Sequence, residues 1–442
     1  MSQSTTDNPA TITRTVGSIL AGSIGNVVEW YDWSAYALMV AVFAPQIFPS
    51  GTEIGSVIEA LIAYAIGFLV RPLGSLVLSP YGDKVGRRKL LSLTIVLMGA
   101  GSLLLAVTPS YRSIGIASPI VFLIARVVQG FSAGGEFQGS STYLVEQAPP
   151  ARRGLIGSLQ LVSITIAIVG ASAVGTLTTG LIPAAALAQW GWRIPFIFGA
   201  LIAAYGFYVR LRAPETPAFE AVEAKKEIDR NPLSSLIRLH WRSCLWVVTI
   251  QITTVPYYMW SAFLPTYAHL TAGLPLSSGL LGETIGLLLF MGFLVVVGHL
   301  SDRWGRKPFL FLTAIGFIVL AYPLFLFLQH ATFWTFLAVE IAGLLLMSGV
   351  DGVMASTMCE IFPTRVRASG IGIPYALTAA VFSGTAPLIA TSFIERGQPM
   401  GIAFYVIAIC IVAGIGYLTM PETYRRDLTR IRSGGRETAD EL

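Results

Sequence analysis

The sequence predicts an all-α membrane protein with twelve transmembrane helices in two pseudo-symmetric six-helix bundles. Three observations predict this class. Of 442 residues, 54% are hydrophobic and only 12% are charged, whereas soluble globular chains carry about 25% charged residues. Apolar runs of about 20 residues, long enough to cross a hydrocarbon core of about 30 Å, recur along the chain. Motifs of the first half also return in the second half in the same order.

The apolar runs define the spans, and the positive charges orient them. The runs are centred near residues 30, 67, 99, 131, 169, 202, 257, 290, 318, 346, 382 and 410. Lys and Arg are concentrated in the loops after the even-numbered runs, whereas the opposite loops carry few cations. Because cytoplasmic loops are rich in Lys and Arg, we expect a multi-pass protein of a bacterial-type plasma membrane with both termini in the cytoplasm.

This topology divides the chain into five segments. The longest loop, at 212–243, is interpreted as a charged cytoplasmic linker with a short surface helix around Glu220 to Asp229. The remaining segments are a cytoplasmic N-terminal tail at 1–16, a first six-helix bundle at 17–211, a second at 244–420 and a cytoplasmic C-terminal tail at 421–442.

Three repeated motifs indicate that the two halves arose by duplication. SPYGDKVGRRK after span two matches GHLSDRWGRK after span eight, and YLVEQAPPARRG at the end of span four matches MCEIFPTRVRA at the end of span ten. PETP at 214 and PETY at 421 close the two halves. Repeated halves around a site at the bilayer midplane are the architecture of many secondary transporters.

Opposite charges in the repeated motifs predict a gate on the cytoplasmic side. We call this set the cytoplasmic gate, and it comprises Asp83, Arg87, Glu146, Arg153, Asp302, Arg306, Glu360 and Arg367. Such pairs can close one side of the protein in one state and separate in the other, as alternating access requires. Orientation by positive charge alone explains the arginines. It does not explain the four acids.

The motifs resemble those of a known family. GDKVGRRK, GHLSDRWGRK and RVVQG at 126–130 resemble signatures of the major facilitator superfamily. Within it, GNVVEWYDW, FLVRPLG, QGFSAGGEFQGSS, WGWRIPF and IFPTRVRASG are similar to the metabolite:proton symporter family, which includes alpha-ketoglutarate, citrate, shikimate and proline/betaine permeases. The resemblance covers about residues 17 to 425. It implies the major facilitator fold, alternating access and a functional monomer.

Span one has a polar face inside an apolar segment. Glu29, Asp32 and Tyr36 fall within an arc of about 80° at about 100° per residue, and Arg126 and Glu136 share one side of span four. From the helical rise, Arg71, Glu29 and Glu136 are expected about 15 to 18 Å above the cytoplasmic ends, near the midplane. The sequence therefore predicts a buried cluster of Arg71, Glu29, Asp32 and Glu136, with Arg126 further out near Asp32.

This cluster has two interpretations. Glu29, Asp32 and Glu136, together with Arg126, are candidates for coupling proton movement to substrate movement, because burial favours a neutral carboxyl and a nearby arginine favours a charged one. The alternative is a permanent ion-pair network that holds the helices together.

Candidate substrate contacts come from both halves. Arg71 offers bidentate hydrogen bonds to a carboxylate, or it only neutralises the neighbouring acids. The aromatic residues of span seven suit a cavity wall for a small polar molecule, or they form a packing surface. The candidate set is Arg71, Tyr36, Gln138, Tyr257, Tyr258, Trp260, Asp351 and Tyr375.

The leading functional hypothesis is secondary active transport: proton-coupled symport of a small organic acid, a mono- or dicarboxylate such as alpha-ketoglutarate. The alternative within the same family is proton-coupled uptake of a zwitterionic compatible solute such as proline or betaine. The duplicated gate disfavours a receptor that binds without moving its ligand. No nucleophile–base set, metal-ligand spacing or phosphate-binding loop is found, so we expect no enzyme, cofactor or metal site. The expected partners are substrate, protons and the lipid bilayer, and not nucleic acid.

Overall fold

The first half of the protein contains six long helices that follow the predicted spans. The structure is a computed structural model that describes residues 9–50, 52–224, 232–383 and 385–428, and every regular element in these ranges is helical. Spans one to six are Pro9–Ile47, Glu53–Val85, Arg87–Val107, Ala117–Gln147, Arg153–Leu181 and Ile194–Leu211.

The second half repeats this arrangement with more interruptions. Span seven consists of Trp241–Ile252, Val255–Tyr258, the π-helix Met259–Phe263 and Leu264–Ala272. Spans eight and nine are Leu276–Trp304 and Lys307–Leu328, and span ten is Phe333–Asp351 followed by Met354–Ile361. Span eleven consists of Arg367–Thr378, the π-helix Ala379–Ser383 and Ala386–Glu395, and span twelve is Gly401–Thr419. The predicted all-α class is confirmed.

Nine helices in the described part of the chain are long and apolar enough to cross a membrane by themselves. The remaining spans are one, seven and eleven. Span one carries the buried charges of Glu29 and Asp32, and spans seven and eleven are divided by π-helical turns. Pro256 and Pro265 each begin a new segment of span seven, because proline lacks the N–H that a continuous helix would use. The twelve spans are therefore present, although three depart from a simple apolar helix.

Shorter helices lie in the connections between spans. The linker contains Pro217–Ala224 and Pro232–Leu239. Residues 225–231, which include the second half of the surface helix predicted around Glu220 to Asp229, lie outside the described residues. Span one begins at Pro9 and span seven at Trp241, both earlier than predicted. The other short elements are Tyr111–Ile114, Pro150–Arg152, Ala184–Gln189, Gly191–Arg193 and Thr364–Val366.

Spans two and four approach each other through glycines. A side chain at Gly130 would meet the carbonyl oxygen of Gly67, and one at Gly74 would meet the backbone of Phe131. Small residues let membrane helices pack backbone to backbone. This contact fixes span two, which carries Arg71, against span four, which carries Glu136.

Candidate functional site

A cavity with a polar lining lies between the two halves. Its polar lining comes from Asn26, Glu29, Arg71 and Gln138. One wall is formed by Phe137 of span four and Tyr375 of span eleven, whose rings stack 3.9 Å apart with an interplanar angle of 10°. We call it the first cavity. It brings three of the predicted substrate residues together with one predicted proton-coupling residue.

The ion pair between Glu29 and Arg71 is the charged group of the first cavity. Arg71 Nη2 lies 2.9 Å from Glu29 Oε1, and both side chains are nearly buried. The Arg71 guanidinium also lies 4.3 Å from the ring centre of Phe68 and 4.8 Å from that of Trp33. Each charge thus offsets the cost of burying the other, and aromatic faces add cation–π contacts.

Asp32 belongs to a separate network. Its Oδ2 accepts a hydrogen bond from Ser102 and one of 3.0 Å from Gln129 Nε2, while Oδ1 has no hydrogen-bond partner among the residues described. Arg126 donates to Gln129 Oε1 at 2.7 Å and lies 3.9 Å from the ring centre of Trp33. The predicted proximity of Arg126 and Asp32 is therefore real, but Gln129 connects them.

Glu136 pairs with an arginine that sequence reasoning missed. Arg210 Nη2 lies 2.5 Å from Glu136 Oε1, Arg210 Nη1 lies 3.3 Å from Oε2, and Thr94 donates to the same carboxylate. The prediction of one cluster around Arg71 is wrong in this respect, because the acids divide among three networks. A signal was present: Gly199, Ala203 and Gly206 precede Arg210 at helical spacing on one buried face of span six.

A second cavity adjoins the first on the side of the C-terminal half. It shares Trp30, Phe137 and Tyr375 with the first cavity. The lining from the C-terminal half includes Gln251, Thr254, Tyr257, Tyr258 and Asp351. Asp351 is 2% exposed, and within the described ranges its Oδ2 has no hydrogen-bond partner. The second cavity thus offers an uncompensated carboxyl group beside aromatic rings.

Two predicted substrate residues lie elsewhere. The Tyr36 hydroxyl donates to the carbonyl of Ala60 at 2.7 Å, and its ring packs against Phe43 in a buried aromatic cluster. Trp260 donates from Nε1 to the carbonyl of Val339 at 3.1 Å, and its ring packs against Phe317. Both side chains are fully buried and line neither cavity. The structure thus places both rings in apolar packing away from the cavities, and their contact with substrate stays a prediction.

Gln138 lines the first cavity as predicted. Its Nε2 donates to Ser79 Oγ at 2.8 Å and to the carbonyl of Gly134 at 2.5 Å. These bonds hold the amide against spans two and four, with the side chain at the cavity wall. The side chain therefore has a fixed orientation before any ligand arrives.

The aspartates of the cytoplasmic gate bind helix starts in the opposite half. Asp83 accepts from the backbone N–H groups of Ala368 (3.0 Å) and Ser369 (2.8 Å), at the start of span eleven. Asp302 accepts from Gly154 (2.8 Å) and Leu155 (2.9 Å), at the start of span five. A helix N-terminus presents free N–H groups and positive potential to an anion. Each aspartate thus joins the two halves in the same way.

Within each half, an arginine connects the aspartate to the glutamate of the gate. Arg87 lies 3.2 Å from Asp83 and 3.5 Å from Glu146. Arg306 lies 3.0 Å from both Asp302 and Glu360. The duplicated sequence therefore forms a duplicated structure of acid, arginine and acid.

The outer arginines of the gate break this symmetry. Arg367 Nη1 lies 2.5 Å from Glu146 in the other half. Arg153, its sequence counterpart, instead donates to the backbone carbonyl of Arg426 at 2.5 Å. The backbone carbonyl of Leu428, a buried residue after span twelve, accepts a hydrogen bond from Arg367 Nη2 at 3.1 Å. The segment after span twelve therefore lies across the gate.

The PET motifs cap helices. Glu215 accepts from the backbone N–H of Arg87 at 3.0 Å, and Glu422 accepts from that of Arg306 at 2.9 Å. Burial raises the pKa of the Glu215 carboxyl, against the lowering effect of its backbone donors. The sequence showed that the motif repeats. It did not show that the motif holds the starts of spans three and nine.

Replacing Arg210 tests whether it is the partner of Glu136. Arg210→Met leaves the Glu136 carboxylate buried without a counter-charge, so we expect a loss of about 3–5 kcal/mol in the free energy of unfolding. Adding Glu136→Gln should restore most of that loss, because neither charge is then left alone. The measurement is denaturant unfolding of the detergent-purified protein.

The matched control combines Arg71→Met with Glu136→Gln. Because Arg71 pairs with Glu29 and not with Glu136, the two losses should add. Additive losses for Arg210→Met with Glu136→Gln, or rescue by the Arg71 combination, would contradict the assignment.

Comparisons with known proteins agree with this architecture. The sequence profile of the Major Facilitator Superfamily matches residues 22–375. The chain is 34% identical over 428 residues to the proline/betaine transporter of Escherichia coli strain K12, covering 93% of this chain and 84% of that protein. It is 32% identical over 420 residues to the citrate-proton symporter of Klebsiella pneumoniae, covering 95% and 94% respectively.

A solved structure has the same fold. The proton:xylose symporter XylE bound to 6-bromo-6-deoxy-D-glucose superposes with a TM-score of 0.78 at 18% identity, covering 95% of this chain and 98% of that one. The resemblance to the superfamily and to its metabolite symporters is confirmed. With two six-helix halves joined by paired charges around a central cavity, this chain belongs to the Major Facilitator Superfamily of membrane transporters.

Proposed function

We propose that this protein is a proton-coupled symporter for a small zwitterionic solute of the proline or betaine type. The observation that carries the proposal is the charge of the two adjoining cavities. Among the described lining residues, Arg71 is the one cation, while Glu29 and Asp351 are the acids. A cationic nitrogen beside Asp351 would favour the ionised form of its carboxyl group, and the lining would then carry a net negative charge. A solute with one carboxylate and one cationic nitrogen fits this lining better than an anion does.

The carboxylate of the solute has a binding group in Arg71. A guanidinium can hold a carboxylate through two parallel hydrogen bonds. In the substrate-free protein, Glu29 occupies Arg71 at 2.9 Å. A substrate carboxylate therefore competes with Glu29 for the same guanidinium.

This competition links substrate binding to proton binding. When a substrate carboxylate takes over Arg71, Glu29 loses its counter-charge in a buried site, and a buried carboxyl without a counter-charge favours its protonated form. Substrate and proton then stabilise each other in the loaded protein. Release of either one returns Arg71 to Glu29 and resets the site.

The cationic end of the solute fits the second cavity. Asp351 provides a carboxyl group whose Oδ2 has no hydrogen-bond partner in the described chain, and the rings of Trp30, Tyr257 and Tyr258 line the same space. Aromatic faces attract quaternary and secondary ammonium groups. Phe137 and Tyr375 lie at the boundary between the cavities, within reach of the middle of a small solute.

The two other predicted proton-coupling acids, Glu136 and Asp32, have different roles in this proposal. Both oxygens of Glu136 are engaged by Arg210, which suits a fixed structural charge. Asp32 keeps one free oxygen and a connection to Arg126 through Gln129, so it is the second candidate for a proton-carrying group.

The relatives support the zwitterion over the organic acid that the sequence first suggested. Several similar proteins are named as proline, betaine or ectoine transporters. A citrate-proton symporter is nevertheless similar over almost its whole length, so citrate is the second candidate. A single lining arginine already paired with Glu29 is a poor match for a trianion.

We propose that the cytoplasmic gate is closed in this structure and that its contacts must break for release. Asp83, Glu146 and Asp302 each bond to the opposite half. Separation of the halves on that side would expose both cavities. With the positive charges on the inner face, release would be into the cytoplasm.

Uptake into proteoliposomes tests the substrate and the coupling together. Labelled proline, betaine, alpha-ketoglutarate and citrate are supplied with and without an inward proton gradient. We expect the gradient to drive accumulation of a zwitterion, and Glu29→Gln to reduce it to the gradient-free level while counterflow persists, because a permanently neutral side chain cannot exchange a proton.

One control variant and one further test variant are measured in the same assay. Glu59→Gln removes an exposed acid of span two and should leave accumulation unchanged, and Asp32→Asn tests the second proton candidate. Accumulation of citrate or alpha-ketoglutarate without either zwitterion would overturn the substrate assignment. Uptake indifferent to the gradient in the wild type would remove proton coupling.

A native cysteine reports on the gate. Cys359 is fully buried on span ten next to Glu360, and we expect Asp83→Asn to raise its rate of labelling by an impermeant maleimide from the cytoplasmic side. The charged acceptor of two backbone N–H groups is worth about 1.5 kcal/mol or more, so the increase should be about tenfold.

The labelling uses a background with Cys244→Ser and Cys410→Ser. Glu220→Gln, which removes an exposed acid from helix Pro217–Ala224, is the control and should not change the rate. An unchanged rate in Asp83→Asn would show that this contact does not hold the gate closed.

A further inference from the structure

Span ten carries a second buried acid that neither the sequence analysis nor the proposed transport cycle uses. Glu340 lies on the same helix as Asp351, Phe333–Asp351. At 1.5 Å per residue the two acids are separated by about 16 Å along the axis. Glu340 therefore lies in the half of the C-terminal bundle away from the cytoplasmic gate.

No described neighbour of Glu340 stabilises a negative charge on its carboxyl group. Its side chain is fully buried, and neither carboxylate oxygen has a hydrogen-bond partner within the described ranges. It packs against span eight at Gly286, where a Cβ would lie 2.7 Å from Glu340 Cγ. The nearby indole N–H of Trp260 is already bonded to the carbonyl of Val339. An uncompensated carboxylate in such a place costs several kcal/mol.

The charged group that acts on Glu340 from the facing helix is another acid. Glu283 of span eight lies one helical turn before Gly286 and is half-buried. Span nine, which also packs against span ten, has the exposed Tyr322 and, at its far end, Lys307. Span seven contributes Tyr257, Tyr258, Tyr267 and His269, whose Nδ1 lies 2.9 Å from the carbonyl oxygen of Leu274. None of these is a cation that pairs with Glu340 in the part of the chain described.

Glu283 also connects this region to the substrate cavities. Tyr257 lines the second cavity and lies within electrostatic reach of both Glu283 and Asp351. A change of charge at Glu283 and Glu340 therefore acts on the wall where the cationic end of a solute is proposed to bind.

We propose that Glu340, buried against span eight near Glu283, forms a second proton-binding site that takes its proton from the extracellular solution. Two neighbouring carboxyl groups titrate as a coupled pair, because the first proton relieves both the burial cost and the repulsion. The step consists of one proton binding to one carboxylate oxygen, with no other bond made or broken. It does not depend on the identity of the substrate.

Infrared difference spectroscopy tests this site without substrate. Spectra of the purified protein are recorded through a pH titration, and the signal is the C=O stretch of a protonated carboxylic acid. We expect a wild-type band that persists above the pH at which exposed carboxyl groups ionise. One component of this band should disappear in Glu340→Gln, whereas the whole band should remain in Glu59→Gln, the exposed control.

Glu283→Gln provides a second, independent readout. Removing the neighbouring negative charge makes Glu340 easier to ionise, so the band should be lost at lower pH than in the wild type. This variant decides the question if Glu340→Gln does not fold. A band that Glu340→Gln leaves unchanged in every component, or a Glu340 component that titrates identically in Glu283→Gln, would overturn the proposal. Because no transport is measured, failure here is distinct from failure of the zwitterion assignment.

Discussion

The ion pair between Glu29 and Arg71 is the interaction on which the rest of the account depends. Charged side chains inside a membrane protein are costly unless they are compensated, and at 2.9 Å each of these residues compensates the other. The same pair lines the first cavity, where a ligand can reach it. The ion pair can therefore separate when another group compensates one of its two charges. A substrate carboxylate can satisfy Arg71, and a proton can satisfy Glu29.

The other buried charges differ from this pair in whether a ligand in the cavities can reach them. The Glu136 and Arg210 pair lines neither cavity, and both carboxylate oxygens are engaged, so it stabilises the helices around it. Asp351 and Glu340 have no cation to pair with in the described chain. Of the two, only Asp351 lines a substrate cavity. Compensated charges thus hold the fold, whereas uncompensated or exchangeable ones are available for transport.

In the cytoplasmic gate, helix N-termini also compensate the charges of the aspartates. Asp83 and Asp302 each receive hydrogen bonds from two backbone N–H groups of the opposite half, so helix N-termini supply part of the positive potential between the halves. The symmetry is not complete, because Arg367 pairs across the gate with Glu146 while Arg153 binds the segment after span twelve. That segment gives the C-terminal half a contact that the duplication alone does not provide.

Much of the fold was predictable from the sequence, because hydrophobic length and repeated motifs are local signals. The charges near the midplane were also predictable, since helical spacing placed Glu29 and Arg71 at one depth. The partners of the buried charges were harder to predict from the sequence, because they depend on which helices are neighbours. Arg210 was absent from the predicted site residues, although the small-residue face before it indicates burial. Tyr36 and Trp260 were assigned to the cavity because ring chemistry alone does not distinguish a lining position from a packed one.

The most direct test of the central claim is the charge moved in one transport event. A zwitterion carried with one proton transfers net positive charge, and this can be recorded as a current from proteoliposomes on a solid-supported membrane. We predict an inward positive current on a jump in proline or betaine concentration that grows as the outer solution is acidified and is absent in Glu29→Gln. No current with either solute, or a current with citrate alone, would contradict the exchange between Glu29 and a substrate carboxylate at Arg71.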